Sequence, residues 1–297
     1  MNEEKLGTIY AAFAYIIWGF LPLYWKILEH VPAWEILAHR MVWSFLFMVI
    51  FILALKRWGL FTGELKSIFK DWRTGLGITG AAIAISINWV TYIWAVNTNH
   101  VLDASLGYYI NPLISILFGI LFLGEKFSRI QWIAIAFALT GVLFMTIQFG
   151  SIPWVALVLA MSFAVYGLLK KVVQLNAIFG LAIETLIILP IALLYISYLE
   201  WVNVGALGMS WTGFLLIGAG LVTVVPLLLF AQGAKRIPLS LVGFLQYFAP
   251  TIMLLLGVFL FDEAFTSVHA VTFTLIWIGL ILYTYERMKH LRKNAHA

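Results

Sequence analysis

The chain has no cysteine among its 297 residues. Disulfides, thiolate zinc sites, iron–sulfur clusters and cysteine nucleophiles are therefore excluded. Charge is almost as scarce. Asp, Glu, Lys and Arg make up 10% of the chain and hydrophobic residues 63%, against roughly 25% and 45–50% in soluble domains. A soluble fold of this size would lack the polar residues to cover its surface, so an ordinary soluble enzyme is ruled out. A phosphate-cradling Gly-Lys-Ser/Thr loop is also missing. The nearest pattern, Gly119 to Gly124-Glu125-Lys126, lies inside an apolar run. The net charge of +5 comes from only 18 basic residues, and their placement matters more than their sum.

What fills the chain is long apolar runs. A bilayer core of about 30 Å needs roughly 20 apolar residues in a helix. Ten such runs are read: 6–28, 33–56, 75–95, 102–122, 129–147, 152–170, 178–199, 211–233, 239–260 and 267–285. They are too long and too uniformly apolar for barrel strands. The first lacks a small-residue cleavage site and reads as a retained span. The largest connection is 57–74, and no soluble domain is expected between spans.

The basic residues set an orientation. Ten spans put 16 of the 18 on one side, from Lys5 through Lys170 and Lys171 to Lys293. Lys26 falls on the other side, and Arg40 lies within a span. Both termini are therefore expected to be cytoplasmic, and the basic residues leave nothing over for nucleic acid.

A shift of 138 residues aligns 109–141 with 247–279 without a gap. Tyr109 meets Tyr247, Pro112 meets Pro250, Gly119 meets Gly257, Glu125 meets Glu263 and Gly141 meets Gly279. The chain reads as two five-helix repeats, residues 1–148 and 149–287, followed by a basic cytoplasmic tail at 288–297. Five is odd, so the second repeat enters the membrane inverted. The expected fold is an all-α polytopic membrane protein of ten transmembrane helices in two inverted five-helix repeats. Inverted repeats are common in secondary transporters, where two halves rock around a central site. Duplication without that consequence is the bland alternative.

Ionisable and polar groups within spans are expensive and mark functional sites. Arg40 lies about 10 Å from the outer face, counted at 1.5 Å per residue. Trp18, Asn88, Tyr108 and Tyr109 reach similar depth, with Asn111 beside them. Glu184, Gln246 and Tyr247 lie about as far from the inner face. These two slabs are where a transporter cavity would form. Pro112 and Pro250 interrupt helix hydrogen bonding at symmetric positions, as a hinge or as simple packing kinks. Glu184 and His39 are the candidates for proton coupling, His39 with Glu35 four residues away on one helical face. A satisfied interfacial histidine is the plainer reading of that pair. Asn88 is read as a cavity residue or an interhelical hydrogen bond, and Arg40 as a substrate anchor or a structural charge.

Trp18-Gly19 followed by Lys26, Pro32 and Arg40, then Pro112 leading to Gly124-Glu125, resembles the EamA repeat of the drug/metabolite transporter superfamily. The second copy is degraded, with Tyr166-Gly167 and Asp262-Glu263 in the matching slots. Ala38 to Ser44 and Tyr109 to Leu113 are similar to the RarD-like branch. The resemblance covers essentially all ten spans. It implies an inner-membrane carrier for small organic molecules, often an exporter, working without ATP and without a cofactor or metal. Leu189 occupies the slot equivalent to Arg40, so the charge is not symmetric. The partners expected are a small-molecule substrate and the lipid bilayer, with the protein a monomer or homodimer. An intramembrane enzyme acting on a lipid-linked substrate is the alternative, for which only Glu35 with His39 comes near a catalytic pair. A channel would show a filter loop or charged rings, and none is visible.

Overall fold

A computed structural model describes the backbone of residues 3–97, 101–149, 154–173, 175–208, 210–260 and 266–295. The described part is almost entirely helical. In chain order the helices are α1 (Glu3–Ile27), α2 (Ala33–Ala54), α3 (Trp58–Lys70), α4 (Trp72–Asn97), α5 (Val101–Leu123) and α6 (Arg129–Phe149). The second half holds α7 (Trp154–Val172), α8 (Ala177–Trp201), α9 (Trp211–Arg236), α10 (Leu239–Gln246), α11 (Phe248–Leu260) and α12 (Ser267–Ala295). Among the described residues nine helical stretches are long and apolar enough to cross a membrane, counting α10 with α11 as one. To these α5 adds the shorter apolar stretch Gly107–Leu123.

Three features depart from the expected spans. The connection 57–74 contains a helix, α3. Phe61, Leu65 and Ile68 recur at helical spacing and bury one face, and the Phe61 ring packs 5.9 Å from that of Phe179. The ninth span is two helices separated at Tyr247. Finally, α12 runs through the basic end to Ala295 instead of stopping near 285. The connections at 98–100 and 150–153, and Asp262 with Glu263, lie outside the described residues.

Local signals account for the helix ends. Ser128 and Gln131 form a reciprocal capping box before α6, at 2.9 and 3.3 Å. Asn176 caps α8 by accepting the Ile178 amide, and Ser210 caps α9 by accepting that of Gly213. Between α3 and α4, Asp71 accepts the Thr74 hydroxyl and the Arg73 amide. Those bonds, led by Thr74, hold its carboxyl below the usual aspartate value. Gly124, at φ +63°, supplies the left-handed turn that ends α5.

The most extensive packing is between the halves, not within them. α1 lies on α9 as α7 lies on α4; α5 lies on α7 as α10 and α11 lie on α1. α2 meets α8, and α6 meets α12. Exchanging the two repeats maps this pattern onto itself, so the 138-residue repeat is a packing symmetry as well as a sequence one. At the α2–α9 crossing, a Cβ added to Gly220 would fall 2.5 Å from Trp43 Cβ. Glycine is needed there for the close approach, which the Ser44 hydroxyl reinforces by donating to the Gly220 carbonyl at 3.1 Å. That crossing brings Arg40 next to Thr223.

Candidate functional site

Helices from both halves enclose a cavity of about 120 Å³. From the first half it is lined by Trp18 and Trp25 of α1, Arg40 of α2, Asn88, Trp89 and Tyr92 of α4, and Tyr108 and Asn111 of α5. The second half supplies Phe163 of α7, Gln246 at the end of α10, and Ala249, Pro250 and Met253 of α11. Six of the eight residues expected to bind substrate converge here. They come from four first-half helices and one second-half helix.

Arg40 is the charge at the centre of this lining. Its Nε donates to Thr223 Oγ1 at 2.9 Å, and the Thr223 hydroxyl in turn donates to the Ala219 carbonyl at 2.7 Å. The guanidinium carbon lies 4.9 Å from the ring centres of both Trp25 and Trp89, a distance at which the π faces attract a cation. Among the described residues no carboxylate forms an ion pair with Arg40. Only its Nε has a protein acceptor there. Arg40 is half-buried, and withdrawing part of a guanidinium from water without a counter-charge costs free energy. Three further polar atoms in the same lining, the Tyr15 hydroxyl, Asn111 Oδ1 and Gln246 Oε1, are buried without a hydrogen-bond partner among the described residues.

Helix geometry separates adjacent candidates. Successive residues point about 100° apart. Tyr108 faces the cavity, its ring 5.9 Å from that of Tyr92, whereas Tyr109 turns to Phe273 on α12 at 5.2 Å. In the second half Gln246 faces the cavity and Tyr247 donates its hydroxyl to the Tyr109 carbonyl at 3.2 Å. Tyr109 and Tyr247 are therefore not in the cavity lining; they join α5 to the break between α10 and α11. Asn88 lines the cavity, but its amide nitrogen is committed to α7, donating to the Leu159 carbonyl at 2.8 Å and to Ser162 at 3.1 Å. Both readings of Asn88 hold at once.

The two proline positions differ. The helix breaks at Tyr247, three residues before Pro250, while α5 runs unbroken through Pro112. Glu184 lies apart from the cavity lining and is ion-paired: Lys170 Nζ is 2.7 Å from one carboxylate oxygen, and the Tyr166 hydroxyl donates to the other at 3.3 Å. Lys170, placed by the span reading at a cytoplasmic span end, is buried. His39 is also closed in. Its Nδ1 accepts from the Trp43 indole at 3.3 Å, so its proton sits on Nε2, 3.9 Å from Glu35. Glu35 in turn accepts the Ala206 amide. The pair is buried and is not part of the cavity lining. Among the described residues no group of three or more metal-ligating side chains occurs.

The sequence reading missed Trp25, Trp89, Tyr92 and Thr223. Trp25 lies seven residues after Trp18, on the same helical face, and Trp89 and Tyr92 flank Asn88 within one turn; those spacings were available. Thr223 is 183 residues from Arg40, and no local signal marks it.

The EamA-like transporter model matches the chain twice, over residues 5–147 and 151–285. The chain belongs to the EamA-like transporter family. The two matched segments are the two halves whose packing exchanges above. A similar chain, the uncharacterized transporter YojE of Bacillus subtilis (strain 168), is 51% identical over 98% of each chain. The protein RarD of Escherichia coli (strain K12) is 41% identical over 99% of each. One crystal structure aligns with a TM-score of 0.70 over 94% of this chain and 97% of its own, at 19% identity, a likeness of fold alone. The EamA-like assignment makes this a multi-pass membrane transporter, and family and relatives alike point to transport, not catalysis.

Proposed function

We propose that this protein is a secondary transporter that moves a small organic molecule by alternating access around the cavity beside Arg40. Ten spans with both termini cytoplasmic, and two inverted halves, are the arrangement this reading uses; the distribution of basic residues supports it. The resemblance to drug/metabolite exporters favours outward transport without ATP.

One observation carries the reading: a half-buried guanidinium in a cavity, flanked by two indoles and with no carboxylate partner among the described residues. A substrate carboxylate would supply the missing charge through charge-assisted hydrogen bonds. Trp18, Trp89, Tyr92 and Phe163 suit an apolar or aromatic body, so the substrate class is a small aromatic or apolar carboxylate. Of the two candidates for coupling, Glu184 is the better placed. A proton arriving on it would cancel its attraction for Lys170, whereas His39 is buried with its Nδ1 already taken by the Trp43 indole.

The cavity contains three tryptophans, so ligand entry should change intrinsic fluorescence. Titrating purified protein with benzoate, phenylacetate and their uncharged amides tests the class. The expected result is saturable quenching by the carboxylates and none by the amides. Equal responses to both would remove the anchor role from Arg40.

A further inference from the structure

α10 is an eight-residue helix, buried along its whole length and about 12 Å long at 1.5 Å per residue. A helix this short is marginal on its own and depends on the packing around it, to which capping of its open ends adds. At its upper end it delivers Gln246 to the cavity. At its lower end the preceding residue is Pro238, which offers no side-chain cap.

The cap comes from the other repeat. Glu125, just past the left-handed turn that ends α5, accepts the Leu239 amide at 2.5 Å and the Ser240 amide at 3.1 Å. Its carboxylate also accepts the Ser240 hydroxyl, and Tyr283 donates to that hydroxyl oxygen at 2.9 Å. Beside it, Lys171 donates to the Ala234 and Ile237 carbonyls at 3.3 and 2.6 Å, closing the end of α9. An anion at a helix start and a cation at a helix end both suit the helix dipole. Midway along α10, a Cβ on Gly243 would come within 2.7 Å of the Pro112 carbonyl. The rod thus bears on α5 at its proline, with Glu125 gripping one end and Gln246 at the other.

We propose that Glu125 is a positioning residue that latches the inner closure of this transporter: it holds α10 in place, and its withdrawal opens the inner side and removes Gln246 from the cavity in one movement. A cap taken from within the α9–α10 turn would stay made whatever the halves do. A cap reaching across 114 residues of sequence is made only while the two repeats hold their present relation. The proposal rests on the alternating-access reading above.

The absence of native cysteine makes the test direct. Leu241→Cys, in buried α10, reports the inner side, and Leu21→Cys, in the cavity wall on α1, reports the cavity. Each is labelled with a membrane-impermeant maleimide, Leu241→Cys from the face bearing Lys171 and Leu21→Cys from the opposite face. Glu125→Gln keeps the side-chain volume but turns one acceptor into a donor facing Ser240. It should raise labelling of Leu241→Cys about tenfold, the scale expected for losing charge-assisted hydrogen bonds, and lower that of Leu21→Cys. Faster labelling of both would mean a loosened fold and would overturn the latch; so would unchanged rates in folded protein. If Glu125→Gln does not fold, Glu125→Asp and Ser240→Ala decide by the same opposite shifts, and no shift in either overturns the proposal. Failure of the transporter reading shows separately, as the lack of any saturable solute flux into proteoliposomes carrying the wild-type protein.

Discussion

Replacing Arg40 with methionine should cost binding without costing stability. The guanidinium is held by one charged hydrogen bond to Thr223 and by two indole faces. Such a bond contributes about 1.5–3 kcal/mol, and each cation–π contact about 0.5–2 kcal/mol. Against them stands the desolvation cost of a half-buried ion without a counter-charge, smaller than the several kcal/mol of full burial. The opposing contributions are of similar size, and methionine fills much of the same space with no charge to desolvate. The predicted change in stability is within about 2 kcal/mol of zero, read as an unchanged or slightly raised melting temperature in detergent. A substrate carboxylate, by contrast, would lose its only cationic partner among the described residues of the cavity lining. Truncating one side of a buried hydrogen-bonded charge pair costs at least about 2 kcal/mol, or roughly 30-fold in affinity. Melting curves and isothermal titration on the same preparation read both quantities. A large fall in melting temperature with affinity retained would refute the reasoning and make Arg40 a structural strut.

Other expectations follow from the same geometry. Glu184→Gln should destabilise the protein by about 3–5 kcal/mol because Lys170 is left buried without its partner. Adding Lys170→Met should recover most of that loss in the same melting assay. Gly220→Leu should destabilise by at least about 1–3 kcal/mol through overpacking against Trp43, and should weaken carboxylate binding by displacing Thr223 from Arg40. A topology reporter inserted at 149–152 should read as external, and a cytoplasmic signal there would contradict the ten-span orientation.

The fold was legible where hydropathy and charge speak alone. Spans of about 20 residues, the prolines and the 138-residue repeat were visible because membrane burial and duplication leave one-dimensional traces. α3 was not anticipated: its charged residues resemble a connection, and its apolar face emerges only once Phe61, Leu65 and Ile68 are given a helical period. For the site, counting along a span fixes depth but not azimuth. It placed Tyr108 and Tyr109 together, and Gln246 and Tyr247 together, although one of each pair faces the cavity and the other faces α6 and α12. Partners distant in sequence were invisible for the same reason. Neither Arg40 with Thr223 nor Glu125 with Leu239 shares a helix, and only the interlocking of the two halves brings them into contact.

The central claim is that a solute crosses the membrane through the cavity beside Arg40. Solute flux into sealed proteoliposomes, without ATP and with a panel of small aromatic and apolar carboxylates, tests it most directly. The account predicts saturable flux of at least one such compound, abolished by Arg40→Ala in protein that melts like the wild type. Arg40→Ala transporting at the wild-type rate, or no saturable flux of any carboxylate, would contradict it.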